Sequence, residues 1–580
     1  MSLDRMRVLL LHPEDDPEGG PWSEERWDRV VDLGMTGEQT RARWSGKFGC
    51  SVEPIPKFEM EGFAVVRRAL SSGFGCVVDE YGLDWWELIS IRFHEQIALI
   101  IRLKKLAAQL STKYEVFVTR PGFHADVLGL LLESRVECFR ERAPFFRRAR
   151  GMIETIRKFN LPQLLQILGD KYDAGYRVRR WVAHHKPKLE NAIVLLPVAQ
   201  GNAARTALSY AALLPDRKFL LVATRPSGWV ADTGPNVAAA KLASYASSKS
   251  SQGRDTELRR LLKRWRQLGL QGVRNSEISL LARAGAFSDI TKILRDGLAI
   301  RDAWLGVFER ERVSAVLCTD DTNPYTHMPL LIARQRGLPT MACHHGALDG
   351  GHLVKRSHAD VTLAKGAMEK DYLVDRCGLP EEKTEVGAPL LRRRINVAAR
   401  HSKSSIVFFS EPYALDGGRC REFYRELLPP LADLASRMNL KLVVKLHPME
   451  SARERRKLVN AAFSSTQQRK VSVIQGVLSE ELLDSASFAV TVQSTAAVDC
   501  AIRGVPVFLC KWLDYSYYGY VAQFIRYRAG MPLHSPAEIP KIPHMLENFP
   551  APVRTDFWQT ISGEKLEQLF TGQPKMALAV

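Results

Sequence analysis

The absences narrow the field first. No stretch of the chain reaches the roughly 18 consecutive apolar residues that a membrane-spanning helix needs. The opening segment, MSLDRMRVLLLHPEDD, holds an apolar run too short for a secretory signal. The nine cysteines, Cys50, Cys76, Cys138, Cys318, Cys343, Cys377, Cys420, Cys500 and Cys510, form no CxxC pair. An odd, scattered set argues against a disulfide framework and against a zinc ribbon. Several lie inside apolar runs, where a free thiol behaves as a small hydrophobe. No self-similarity at a solenoid period is present. The location expected from these absences is a reducing cytosol, with any membrane contact peripheral.

Apolar content of 46% and charged content of 25% are ordinary for a globular chain. A length of 580 residues exceeds what one hydrophobic core organises, so two or three domains are expected. The 82 basic and 64 acidic side chains leave a net charge of +18, which favours acidic partners. Basic residues cluster at Arg140–Arg150, Arg254–Arg266 and Arg392–Arg394, each equally readable as a solvated helix face. No nucleic-acid-binding motif accompanies this charge, so nucleic acid is not an expected partner. An anionic membrane surface remains one. The apolar-basic pattern at His94–Leu110 reads as a buried helix rather than as a surface anchor.

From residue 191 on, strand and helix patterns alternate, which predicts parallel sheets with helical crossovers. Ala192–Val198, Lys218–Ala223, Ser314–Thr319, Thr340–His344 and Asp360–Ala364 read as strands, with a last short one at Glu385–Gly387. A long, mainly helical insertion spans about 227–311. A second series follows: Ser405–Ser410, Lys441–Leu446, Val471–Ile474, Phe488–Val492 and Pro506–Cys510. The expected class is α/β, with an N-terminal α/β region at 1–190 that is either its own domain or part of the middle domain. One Rossmann-like domain is expected at 191–397, a second at 405–535, and a tail at 536–580. The basic, aperiodic stretch Ala398–Ser404 reads as the linker. Trp22, Trp27, Trp44, Trp85 and Trp86 fall in the first region and are expected to be core.

Two strand ends carry the chemistry. Leu442–Leu446 stops at His447-Pro448, and Phe488–Val492 stops at Gln493-Ser494-Thr495, where a helical pattern begins. Ser494 or Thr495 would stand at the N-cap, beside backbone N–H groups that lack intrahelical partners. Such a helix start suits phosphate, with Lys445 and His447 as side-chain donors from the neighbouring strand end. Asp499 falls one turn into that helix, on the side of Thr495, and could take a ribose hydroxyl or simply stabilise the helix start. Glu411 follows the first strand of the same domain and either faces the ligand or turns the chain before Pro412. In the middle domain, Asp320-Asp321, His345 and Asp349 all follow predicted strand ends. His345 has a suitable intrinsic pKa for a general base, and a carboxylate would also serve. Asp320-Asp321-Thr322-Asn323-Pro324 is equally good capping chemistry.

Three features in order, His447-Pro448, Ser494-Thr495 and Gly504-Val505-Pro506, resemble the nucleotide-binding domain of bacterial surface-polysaccharide transferases of the GT-B type. These include the CDP-glycerol glycerophosphotransferase, capsule Kdo-transferase and polysialyltransferase groups. Asp320-Asp321-Thr322, Arg336-Gly337-Leu338-Pro339-Thr340 and His345-Gly346 resemble the stretch those families carry in the facing domain. The resemblance covers about 190–530. The sequence departs from it at His344, where Gln is common, and at Leu348-Asp349-Gly350, a partial match to an acidic-acidic-Gly motif. Ser494-Thr495 also replaces paired serines.

The resemblance implies a GT-B-like fold, with two Rossmann-type domains facing a cleft. It implies transfer from a nucleotide-activated sugar, CMP- or CDP-linked first, to a polysaccharide or lipid-linked acceptor with inversion, and no cofactor besides the donor. No spaced DxD stands in a strand-end loop, so metal independence is expected. A nucleotide-sugar epimerase of the same architecture, or a non-catalytic binding subunit, are the alternatives.

Overall fold

The structure is a computed structural model. It describes residues 6–109, 116–132, 136–138, 191–246, 251–270, 276–355, 358–390, 403–413, 418–448, 450–463, 471–513 and 518–572, except positions 21, 24, 35 and 59. The basic clusters Arg140–Arg150 and Arg392–Arg394, and the linker up to 402, lie outside these residues.

Three parallel sheets organise the chain. The first contains β1 (Arg7–Leu11), β2 (Arg29–Asp32), β3 (Val52–Pro54), β4 (Val116–Thr119) and β5 (Val136–Cys138), in the order β3-β2-β1-β4-β5. The second contains β6 (Ile193–Val198), β7 (Phe219–Ala223), β8 (Val237–Lys241), β9 (Val313–Cys318), β10 (Thr340–Ala342), β11 (Val361–Ala364) and β12 (Thr384–Val386). Its order is β12-β11-β10-β9-β6-β7-β8. The third contains β13 (Ser405–Phe409), β14 (Lys441–Lys445), β15 (Val471–Ile474), β16 (Ala486–Thr491), β17 (Val507–Cys510) and β18 (Met531–Leu533), ordered β15-β14-β13-β16-β17-β18.

In every sheet the first strand lies beside the fourth, so the connections reverse direction there. This is the Rossmann order, and open α/β sheets take ligands at that reversal, outside the strands' C-terminal ends. The central strands are unbroken apolar runs, such as IVLLPV in β6 and SIVFF in β13, and are buried along their length. That pattern is what a parallel strand covered on both faces requires.

The helices used below are α1 (Trp85–Ser90), α2 (His94–Gln109), α3 (Gly201–Ala211), α4 (Ser251–Leu270), α5 (Ile290–Arg310), α6 (Pro324–Gln335), α7 (Cys420–Arg437), α8 (Ala452–Ala462), α9 (Ala496–Ile502) and α10 (Gly563–Thr571). No described helix is long and apolar enough to cross a membrane. Trp22, Trp27, Trp44, Trp85 and Trp86 are buried in the core, as expected.

The N-terminal region, readable either as its own domain or as part of the middle one, carries its own sheet. Three expectations change. The insertion at 227–311 is not wholly helical, because β8 pairs in parallel with β7. The strand expected at Thr340–His344 ends at Ala342, which frees His344 for the following loop. Residues 536–572 are folded and return to the middle domain: Ala388 bridges Thr560, and α10 buries Leu566 and Phe570 in that domain's core. Ser562 caps α10 by accepting from the Lys565 N–H. Leu566 and Phe570 stand four apart on one face, but what they pack against, including Phe219, lies far back in the chain, which is why the segment reads as a tail.

The N-terminal unit is anchored to both other sheets. On the middle domain, Arg301 of α5 is buried and pairs with Asp79 at 2.9 Å and Glu257 at 2.7 Å. Gly297 lets α5 approach Trp85, since a Cβ there would lie 2.3 Å from the indole. On the third sheet's side, Arg419 just before α7 enters the C-terminal edge of the first sheet, bonding Asp32, Asp15 O and Leu11 O.

Candidate active site

The third sheet reverses between β13 and β16. Glu411 follows β13 and is buried, and one of its oxygens accepts from Thr491 Oγ1 and from the Gln493 N–H, each at 2.9 Å. It therefore holds the turn that presents Ser494 and Thr495. Ser494 is the residue whose hydroxyl caps α9, accepting from the Ala496 N–H at 3.3 Å, while Thr495 makes no side-chain cap bond. The Ala497 and Val498 N–H groups are taken by the Ser494 and Thr495 carbonyls. The helix start expected to offer bare N–H groups is thus tightened into i to i+3 bonds. Donors to a phosphate there must come largely from side chains.

Lys445, expected to face a phosphate, instead donates to the Leu446 and Gly476 carbonyls at 2.9 and 2.8 Å. Burial lowers its pKa, against the pull of Glu450. His447 is half-buried at the same edge, and burial first, then Lys445, pushes its pKa down to about 4. Its backbone N–H is fixed by Glu450, which also accepts from Ser410 and Arg455. Glu450 is 2% exposed and went unnoticed in sequence, although its spacing after His447-Pro448 and before the α8 cap Ser451 is turn chemistry. Pro448 is exposed in this turn, and Asp499 is exposed on α9.

The second sheet reverses between β6 and β9. Asp320 and Asp321 follow β9 directly and are each 3% exposed. They differ in partners. Asp321 forms an ion pair with Lys355, and although burial acts to raise its pKa, Lys355, His352 and His327 hold it well below the usual carboxylate range. Asp320 accepts from Thr322 Oγ1 at 3.2 Å through one oxygen, while its buried Oδ2 has no partner among the described residues. Burial raises its pKa, with Asp349 and Asp321 adding to the rise and His345 opposing it.

His344 and His345 lie in the loop after β10 with ring centroids 4.4 Å apart. Burial pushes His344 down to about 3, so it is neutral. The loop is fixed by Lys365, which is buried and donates to the His344 and Gly346 carbonyls, the latter at 2.6 Å. Asp349 accepts from the Gly351 N–H at 2.9 Å through Oδ1; burial acts to raise its pKa, but His344, His352 and that amide bring it below its usual value. Five of the fourteen histidines fall between 327 and 358, a density that marks the segment in sequence, yet of these only His345 is an expected site residue. His327, His344, His352, His358, Lys355 and Lys365 are additions from the structure.

The two edges meet. A Cβ placed on Gly346 would lie 3.9 Å from Thr495 Oγ1. Gly350 donates its N–H to Tyr520 Oη at 2.6 Å, and a Cβ there would fall 2.2 Å from the Tyr518 ring. Tyr518 is also reached from the N-terminal unit by His94 Nε2 at 3.0 Å, and Arg376 donates to its carbonyl at 2.7 Å. The structure thus gathers Asp320, His345 and Asp349 opposite Ser494 and Thr495. It commits Glu411, Lys445 and Asp321 to holding the edges.

No curated protein matches the chain. Among solved structures, a UDP-GlcNAc 2-epimerase from Methanocaldococcus jannaschii, in complex with UDP-GlcNAc and UDP, is similar at 12% identity and a TM-score of 0.40, over 66% of this chain and 100% of its own. The glycotransferase of kitacinnamycin is similar to the same degree, with 12% identity, a TM-score of 0.40 and coverage of 66% and 100%. A single-substitution variant of the wall teichoic acid polymerase TagF gives 11% and 0.35 over 73% of this chain and 96% of its own. Residues 311–511 match the model of a family described as "Putative glycosyltransferase (DUF6716)". That window runs from β9 to β17 and contains every strand-end residue singled out above, from Asp320 to Asp499.

Proposed function

We propose that this protein is a glycosyltransferase that moves a sugar from a nucleotide-activated donor to a hydroxyl of a polysaccharide or glycolipid acceptor. The observation that carries the reading is the meeting of two sheet edges at their reversal points. Thr495 stands against Gly346, and a buried, unpartnered carboxylate oxygen on Asp320 lies on the acceptor side. The family-model match over this window supports it.

The chemistry follows from the placement. An acceptor hydroxyl in the cleft gives its proton to Asp320, whose neighbour His345 is oriented by the loop that Lys365 holds. The freed oxygen attacks the anomeric carbon, and the bond to the donor phosphate breaks with its electron pair going to the phosphate oxygen. A single displacement inverts the anomeric centre. Negative charge grows on the leaving phosphate, where the Ser494 and Thr495 hydroxyls and His447 are the groups placed to donate. This step needs no metal at the phosphate. Basic surface, including Arg259, Lys263 and Arg266 exposed along α4, suits attachment to an anionic membrane where a lipid-linked acceptor would be found.

The test is a thermal-shift panel of CMP-, CDP-, UDP- and GDP-linked sugars, followed by mass spectrometry of the products. A stabilising donor and a glycosylated acceptor are expected. Isomerised donor or free sugar as the main product would instead indicate an epimerase, and no shift with any donor would end the donor-site reading.

A further inference from the structure

We propose that a divalent cation of the zinc or manganese class binds in the middle domain between Asp321, Asp349 and His352. One ligand atom from each of these side chains lies within 4.8 Å of the others. They come from two places in the fold. Asp321 follows β9 at the sheet's reversal point. Asp349 caps the short 3-10 turn Gly350–Leu353 and His352 lies within it, and positions three apart stand on one side of such a turn.

The second observation is His352. It is 3% exposed, and neither ring nitrogen makes a hydrogen bond among the described residues: Nδ1 has no partner, and Nε2 lies 3.8 Å from Asp349 Oδ2, beyond hydrogen-bond range. Asp349 Oδ2 is itself buried and unpartnered. A buried imidazole edge aimed at an unpartnered carboxylate oxygen costs free energy unless something binds both.

The local charge points the same way. Asp320, Asp321, Asp349 and Glu369 face Lys355, which takes Asp321, and Lys365, which faces Glu369 at 3.5 Å. Lys355 and Lys365 each face one of these carboxylates, which leaves Asp320 and Asp349 with no ammonium partner among the described residues. Each of these two residues carries a buried carboxylate oxygen, Oδ2, with no hydrogen-bond partner among the described residues. Lys355 meets Oδ2 of Asp321, so Oδ1 is the oxygen that remains for an ion. One imidazole nitrogen with carboxylate oxygens is a donor set for zinc or manganese rather than for calcium or magnesium, which favour all-oxygen shells. This ion lies on the acceptor side of the cleft, apart from the donor phosphate, and would tie the Asp349–Lys355 segment to the end of β9. Such a site stands whether or not the protein transfers sugars.

The experiment uses the full chain, stripped with EDTA and then titrated with ZnCl₂ and, separately, MnCl₂ by calorimetry, with elemental analysis of the dialysed protein. One ion per chain is expected, with affinity lowered tenfold or more in Asp349→Asn and in His352→Gln. Circular dichroism and the donor thermal-shift panel report folding and the nucleotide site independently. Wild-type protein that takes up neither ion in stoichiometric amount overturns the site. So does undiminished affinity in both folded variants, since the ion would then sit elsewhere.

Discussion

Replacing Arg419 by Met should release the N-terminal unit from the C-terminal domain. Arg419 is fully buried and lies over the Trp44 ring at 5.0 Å. Its guanidinium pairs with Asp32 at 2.8–2.9 Å and donates to Asp15 O at 3.0 Å and Leu11 O at 3.1 Å. Asp32 is equally buried, so the substitution leaves a carboxylate in the interior. Breaking a buried pair in this way costs about 3–5 kcal/mol. Here Asp32 keeps two donors, the Gly34 N–H at 2.9 Å and Thr36 Oγ1 at 2.8 Å, which puts the expected loss at the low end, about 3 kcal/mol. That energy corresponds to roughly 150-fold faster opening. Hydrogen exchange followed by mass spectrometry over β1 and β2 measures it locally, which suits a multidomain chain better than one melting temperature. The double variant with Asp32→Asn should recover part of the loss by removing the stranded charge. Exchange within about threefold of wild type in Arg419→Met would refute this reasoning, because a loss near 3 kcal/mol is far larger than such a change.

Other outcomes follow from the same geometry. Asp320→Asn should lower kcat by roughly 10²–10⁴-fold while donor affinity, read by thermal shift, stays near wild type; unchanged turnover would place the base elsewhere. His447→Ala should reduce turnover by about 10²-fold or more with little change in stability, as expected for loss of a charge-stabilising donor, and a fully active variant would exclude that role. Stability should fall on acidification: His124, buried and bonded to Thr119 Oγ1, is faced by His12 and Arg120, with Asp15 and Arg419 behind them, and burial first, then His12 and Arg120, pushes its pKa down to about 3. Its folded-state pKa lies below its unfolded value of about 6.5, so its contribution is whole above about pH 6.5 and is lost as pH falls toward about 3, amounting to about 2 kcal/mol by about pH 5. Exchange over β4 that does not accelerate between about pH 7 and about pH 5, after correction for the intrinsic rate, would contradict this. Binding to anionic liposomes should weaken as salt rises and drop further when Arg259, Lys263 and Arg266 become Glu; salt-independent binding would exclude an electrostatic surface.

The α/β class, the position of nearly every central strand and the residues that end them are legible in the amino-acid order alone. Continuous apolar runs such as AIVLLPV and SIVFF are readable because a parallel strand buried on both faces admits few polar residues. Their ends are readable because polar, turn-forming residues must begin where the core stops. Local pattern failed where a short element is placed by partners distant in the chain, as α10 is on the core of the middle domain. It also could not separate residues of like type at like positions. Asp320 and Asp321 are adjacent and equally buried, but Lys355, 34 residues away, takes only the second. Lys445 stands at a strand end like a phosphate ligand, but the Gly476 carbonyl, 31 residues on, takes one of its donors. Partners distant in sequence assign such roles, because an ammonium or carboxylate does in a site whatever its nearest charge and hydrogen bonds leave it free to do. It took the packed chain to set Gly346 against Thr495, to face His352 towards Asp349 with no hydrogen bond between them, and to fill the edge of the first sheet with Arg419.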